Sequence, residues 1–181
     1  MAVLYEDTRQ QVHGGVDKHA AKHRWWAAHG VEVVRKALKT GDYAADGSNV
    51  LVDTKRNMDE IAQNIGGRGH DRFKRECVRA QDAGCRLVVL VENAQGYHCL
   101  NNVNAWTNGH CVRCFHYKRH ACQPMRLGRC LKHGTKKPIQ GPRLAKAMAT
   151  MEERYGVRFM FCAPKESARI VCELLGVGYE R

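Results

Sequence analysis

Asp42, Asp53 and Lys55 are the residues whose types and spacing suggest chemistry first. Gly41-Asp42 is followed by ten residues, Tyr43 to Val52, and then by Asp53-Thr54-Lys55. Side chains two apart on a strand point the same way, so Asp53 and Lys55 can face one site. Hydrolysing a phosphodiester calls for a cation to neutralise charge at the phosphorus and to sharpen a water as nucleophile. Clustered carboxylates hold Mg²⁺, or Mn²⁺, through hard oxygens, and a lysine beside them orients or deprotonates the water or stabilises the developing oxyanion. An acid followed at a distance by Asp-x-Lys is also a common pattern of surface charge. What gives it weight is position: both acids fall at strand ends, where an α/β sheet gathers its sites.

A second constellation is built from cysteine. Cys111-Val112-Arg113-Cys114 is a Cys-x-x-Cys knuckle, seven residues separate Cys114 from Cys122, and seven more separate Cys122 from Cys130. Cys130-Leu131-Lys132-His133 offers a Cys-x-x-His pair. Tetrahedral Zn²⁺ takes four N or S ligands, commonly from two such pairs. Two sets compete for a structural Zn²⁺: Cys111, Cys114, Cys122 and Cys130, or Cys111, Cys114, Cys130 and His133. The four-cysteine set is slightly preferred because thiolates suit very basic surroundings. Cys99, with His98, His110, His116 and His120, leaves room for another arrangement. Nine cysteines, an odd number, without a secretory signal argue against a disulfide framework. Cys77, Cys85, Cys162 and Cys172 stand singly in apolar segments and are expected to be buried as small hydrophobes.

The elements that must position these residues read as alternating strands and helices. Ala2–Glu6, Val31–Ala37, Asn49–Asp53, Arg86–Glu92 and Val157–Cys162 read as strands, with Gly41-Asp42-Tyr43 as a turn. Val16–His29, with Trp25 and Trp26 as packing residues, Met58–Ile65, Asp71–Ala83, Pro142–Tyr155 and Lys165–Leu175 read as helices. Arg86–Glu92 is the most apolar segment and is expected to be central. The pattern implies an α/β sandwich around a mixed sheet, interrupted by the Cys/His region.

Charge points to the partner. Thirty Lys and Arg against eighteen Asp and Glu give +12, and a balance of that sign favours a polyanion. The excess is uneven: from Asn93 to Met151 there is no carboxylate, yet the stretch holds ten Lys and Arg and five His. A solvated basic face has the same composition, so the charge supports nucleic acid only alongside the acids. No apolar run approaches the ~20 residues of a membrane helix and the N-terminus shows no signal-peptide pattern, so a soluble, cytoplasmic protein is expected.

In register and content the chain resembles the XPF-type structure-specific nucleases, a branch of the PD-(D/E)xK restriction-endonuclease-like fold. Their Gly-Asp, spacer, Glu-Arg-Lys-x-x-x-Asp signature is matched by Gly41-Asp42 and by Asp53-Thr54-Lys55-Arg56-Asn57-Met58-Asp59. The opening Asp-x-Arg-Glu is matched by Asp7-Thr8-Arg9-Gln10. Arg72-Phe73 after the Gly-rich loop, the Leu87–Glu92 strand and the Gly141–Leu175 tail, like that of small phage-type members, match in type. The resemblance implies that Asp7, Asp42 and Asp53 ligate the catalytic metal, Lys55 acts on the attacking water and Asp59 supports the site. It makes Arg9, Arg56, Arg68 and Arg72 candidates for phosphates. Asp53 stands where Glu is usual, Thr54 where Arg is usual, and Gln10 where an acid is expected, which weakens a second metal position.

The expected organisation is a restriction-endonuclease-like domain over residues 1–98 and 138–181, interrupted by a zinc-knuckle insert over 99–137. Arg113, Lys118, Arg119, Arg126, Arg129 and Lys132 would make that insert a DNA clamp, with Phe115 and Tyr117 able to stack on bases. The expected function is a Mg²⁺-dependent endonuclease for branched or single-strand-containing DNA, in repair, recombination or phage DNA processing. A homodimer is a possible source of a second binding surface. The rival readings are a non-catalytic nucleic-acid-binding adaptor and a subunit whose knuckle docks a protein partner.

Overall fold

The computed structural model describes residues 2–10, 19–67, 69–126, 129–134 and 137–180. Its organising element is β5 (Arg86–Glu92), buried at every position after Arg86, as a strand covered on both faces must be. Its side chains alternate. Leu87, Val89 and Val91 enter one core and Leu90 the other.

Around it lies a six-stranded sheet in the order β2-β1-β3-β4-β5-β6, formed by β2 (Val33–Lys36), β1 (Leu4–Asp7), β3 (Tyr43–Ala45), β4 (Val50–Lys55), β5 and β6 (Arg158–Cys162). Only β3 runs against its neighbours. This is the mixed sheet expected. β3 itself was not, because three residues beside a turn carry no period of their own. β4 also runs two residues further than the apolar pattern suggested, through Lys55.

One face is covered by α2 (Met58–Gly66), α3 (His70–Asp82) and the long helix α7 (Gly141–Tyr155), packed through Ile61, Phe73, Leu144 and Met148. The other face carries α1 (Ala20–Ala28) and α8 (Ser167–Leu175), the latter entered through a single 3₁₀ turn at Pro164–Glu166. Trp26 is fully buried there and its Nε1 donates to the Ala168 carbonyl at 3.1 Å, fixing α1 to α8. The first residues of the helix expected from Val16 lie outside the described residues.

Between β5 and α7 the described residues form three one-turn helices: α4 (Leu100–Val103), α5 (Gly109–Val112) and α6 (Phe115–Lys118). The first of these is not part of an independent insert. Val103 and Trp106 are buried in the same core as α7, and Gly141 packs directly on the carbonyls of Val103, Asn104 and Trp106. The segment that stands apart therefore begins after Trp106. Cys85 also departs from expectation: it is half-buried, whereas Cys77, Cys162 and Cys172 are buried. Among the described residues no helix is long and apolar enough to cross a membrane.

Candidate active site

The sheet directions decide where the acids meet. β1, β4 and β5 run parallel and β3 runs opposite, so the C-terminal ends of three strands and the N-terminal end of the fourth share one edge. Backbone bonds stitch the acid positions together. The Asp42 N–H donates to the Val52 carbonyl and the Asp7 N–H donates to the Asp42 carbonyl, each at 2.8 Å. Gly41 makes the turn that sets this register. It has φ +77°, which favours glycine, and an added Cβ would stand 3.1 Å from the Val52 carbonyl oxygen.

Asp7, Asp42, Asp53 and Lys55 thus line one cleft, with Gln10 beside them. Asp53 and Lys55 are both buried, their charged atoms 2.6 Å apart. The Lys55 ammonium is the one partner of Asp53 Oδ2 among the described residues, so this buried oxygen is held by a charge and by no backbone or neutral donor. Burial pushes the Asp53 carboxyl up to about 8 against the pull of Lys55, and the Asp42 and Glu76 charges add to the rise. Burial alone would lower the Lys55 ammonium, but Asp53, Asp42 and Glu76 outweigh it and hold its pKa above the ordinary lysine value. Asp42 is held by Thr54, whose N–H and hydroxyl both donate to Asp42 Oδ2 at 2.8 Å. Asp7 pairs with Arg9, whose guanidinium also donates to the Leu38 carbonyl at 2.8 Å.

Asp7, Asp42 and Asp53 converging on one cleft are a hard-oxygen donor set of the kind a divalent cation suits. Among the described residues no group of three or more His, Cys, Asp or Glu is already arranged around a metal position. Arg9 and Lys55 draw two of the acids to themselves.

Asp59 is not brought to this cleft. Its Oδ1 accepts the Gly109 N–H at 2.8 Å and its Oδ2 lies 3.6 Å from the Arg113 guanidinium, so it joins α2 to α5. Arg9, Arg56 and Arg72 do line the cleft, whereas Arg68 lies outside the described residues. Arg113, Lys118, Arg119, Arg126, Arg129 and Lys132 are exposed on the segment after Trp106, with Arg119 stacked 4.2 Å from the Phe115 ring centre. Cys111, Cys114, Cys122, Cys130 and His133 line one separate pocket there. Cys99 stands away from it and its thiol donates to Asn102.

The structure adds six residues to the cleft that sequence reasoning missed, His19 and Glu60 among them. Glu76 and Arg79 come from α3, and Glu76 accepts the Gly41 N–H at 3.1 Å. Lys22 from α1 is buried and pairs with Glu92 at 2.5 Å, and Glu92 also accepts the Ser167 hydroxyl at 2.6 Å. Glu92 had a signal, since it ends the central strand as Asp53 nearly ends β4. Nothing in the sequence pointed to Lys22 or Glu76, which reach the cleft only through helix packing.

The ERCC4 domain model matches residues 7–174. Two solved structures resemble this fold. "XPF from Aeropyrum pernix" superposes with a TM-score of 0.56 at 18% identity, covering 97% of this chain and 66% of that one. The same protein in "complex with DNA" gives 0.56 and 18%, covering 98% and 64%. This chain therefore spans just under two thirds of their length. No curated protein matches it by sequence.

Proposed function

The chain belongs to the ERCC4-domain family, that of the XPF-type nucleases, and from that premise we propose that it is a metal-dependent endonuclease acting on DNA. The observation that carries the proposal is the meeting of Asp7, Asp42, Asp53 and Lys55 in one arginine-flanked cleft at a single sheet edge.

Asp53, Asp42 and Asp7 would hold Mg²⁺ or Mn²⁺. When bound, such an ion supplies charge neutralisation at the scissile phosphate and a more acidic water. Thr54 fixes the Asp42 carboxylate through two hydrogen bonds, so that this acid is oriented before any ligand arrives. Lys55, with its pKa held above the ordinary value, is an ammonium at neutral pH. It would orient the attacking water and oppose the charge developing on oxygen. Arg56, Arg72 and Arg79 flank the acids and are placed to take the phosphates on either side of the cut.

The XPF structure with DNA and the surplus of cations support DNA as the polyanion. Branched or single-strand-containing DNA is the proposed form. A basic cleft and a separate basic segment on the same chain would offer two surfaces for two arms of such a substrate.

The test is a cleavage panel of duplex, flap, fork and four-way-junction DNA with Mg²⁺, with Mn²⁺ and with chelator. Cleavage that needs the ion and is lost in Lys55→Ala and Asp53→Asn is expected. Full activity in either variant refutes the site. Tight binding without cleavage in any metal favours the adaptor reading.

A further inference from the structure

We propose that Cys111, Cys114, Cys122 and Cys130 bind one Zn²⁺ as four thiolates, and that this ion is the crosslink holding the basic segment after Trp106 in shape. The proposal does not depend on DNA cleavage.

The first ground is convergence. The four cysteines are spread along the chain from α5 to a late loop, yet all line one pocket. The second ground is what the segment lacks. Its helices α5 and α6 are single turns of four residues, far too short to be stable alone. Several of its larger apolar side chains are largely exposed: Val112, Phe115, Met125 and Leu131 are 45%, 59%, 45% and 45% exposed. The pocket at its centre gathers the four sulfurs beside imidazoles and only a few apolar groups. Ordering such a segment costs backbone entropy, and metal ligation is a known way to offset that.

The third ground is how the sulfurs are dressed. The His133 N–H donates to Cys130 Sγ at 3.4 Å, inside a turn closed by paired backbone bonds of 2.7 and 2.8 Å between Cys130 and Gly134. Gln140 Nε2 donates to Cys111 Sγ at 3.3 Å. Donors aimed at sulfur favour thiolates and are the usual outer support of a thiolate–metal site. A site with four thiolates around Zn²⁺ has a net charge of −2, and the segment surrounds it with cations and no carboxylate of its own. The pocket also separates the two ligand sets left open by spacing. Cys111 is buried and Cys114, Cys122 and Cys130 are half-buried, but His133 is exposed, unlike a ligand of a closed structural site. Binding would draw the sulfurs, which share the pocket without yet surrounding one point, to ~2.3 Å from the ion.

The ion would also reach the active site mechanically. Asp59, four residues after Lys55, accepts the Gly109 N–H at the start of α5. A fixed α5 therefore holds the basic segment at a set distance from the acids.

The test is metal analysis of the full chain purified without chelator, together with the absorption of its Co²⁺-substituted form. About one zinc per chain and a spectrum typical of four thiolates are expected. His133→Ala should keep the metal, Cys122→Ser should lose it, and chelation should expose the 119–134 region to protease. No bound zinc, or a disulfide between any two of the four cysteines in the purified chain, overturns the proposal. Zinc kept in Cys122→Ser and lost in His133→Ala overturns the ligand set. Should either variant fail to fold, the metal count and cobalt spectrum of the unaltered chain still decide.

Discussion

Replacing Asp59 by alanine separates two roles that its place in the motif would confound. Family resemblance makes Asp59 a support of the catalytic site, while its bonds make it the anchor of α5. Its Oδ1 accepts the Gly109 N–H at 2.8 Å, a hydrogen bond to a charged acceptor that contributes about 1.5–3 kcal/mol. The pair with Arg113 spans 3.6 Å, and the Arg113 side chain is 65% exposed, so it adds about 0–1 kcal/mol. Asp59→Ala should therefore weaken docking of the basic segment by about 2 kcal/mol, a ~30-fold shift in that equilibrium. Apparent DNA affinity would fall by at most that factor, with kcat close to unchanged. Asp59→Asn keeps an oxygen to accept the Gly109 N–H and should retain most of the docking. Steady-state cleavage of one substrate, limited proteolysis within 107–134 and thermal melting read the three quantities. A kcat loss of about 100-fold or more, with KM and protease resistance intact, would refute the anchoring role and return Asp59 to the chemistry.

Lys55→Ala should lower kcat by at least about 100-fold, since it removes a group acting on the transition state, while leaving DNA affinity within a few-fold by fluorescence anisotropy. The Asp53 carboxyl gives a signed pH effect. Its folded pKa, about 8, lies above the unfolded value, so the stability it contributes is complete below about pH 4 and is lost as pH rises through 8. Melting temperatures between pH 5 and 8.5, without divalent cation, should fall less in Asp53→Asn than in the parent, and an equal fall would contradict the burial argument. Gly141→Ala should cost about 1–3 kcal/mol by overpacking, because its Cβ would lie 2.2 Å from the Val103 carbonyl, 2.6 Å from that of Asn104 and 2.7 Å from that of Trp106. An unchanged denaturant midpoint would show that α4 and α7 are not in register as described.

What the sequence made legible follows from range. Period-two patterns are local, so β1, β4, β5 and β6 could be read directly, as could the shared side of Asp53 and Lys55. β3 could not, since its three residues owe their conformation to pairing with β1 and β4. Asp7, Asp42 and Asp53 were legible because they sit on or beside strands in a spaced motif. Glu76 and Lys22 were not, because each lies on a helix whose rotation is set by packing. Thr54 looked like the loss of an arginine, yet its hydroxyl bonds Asp42. The boundary of the interrupting segment was misplaced because Val103 and Trp106 look isolated in sequence and find their apolar partners only on α7.

The order of the strands has a consequence for what can be altered. Every acid of the cleft, from Asp7 to Glu92, precedes the segment between Trp106 and Gly141, which lies within the connection from β5 to the helix that leads into β6. A crossover connection is the cheapest place to lengthen a chain, because each doubling of a flexible loop adds only about 0.6 kcal/mol of closure cost. Material there can be exchanged, enlarged or trimmed without shifting a strand carrying an acid. Whatever the segment binds can then change while the acid-bearing end of the sheet stays as it is.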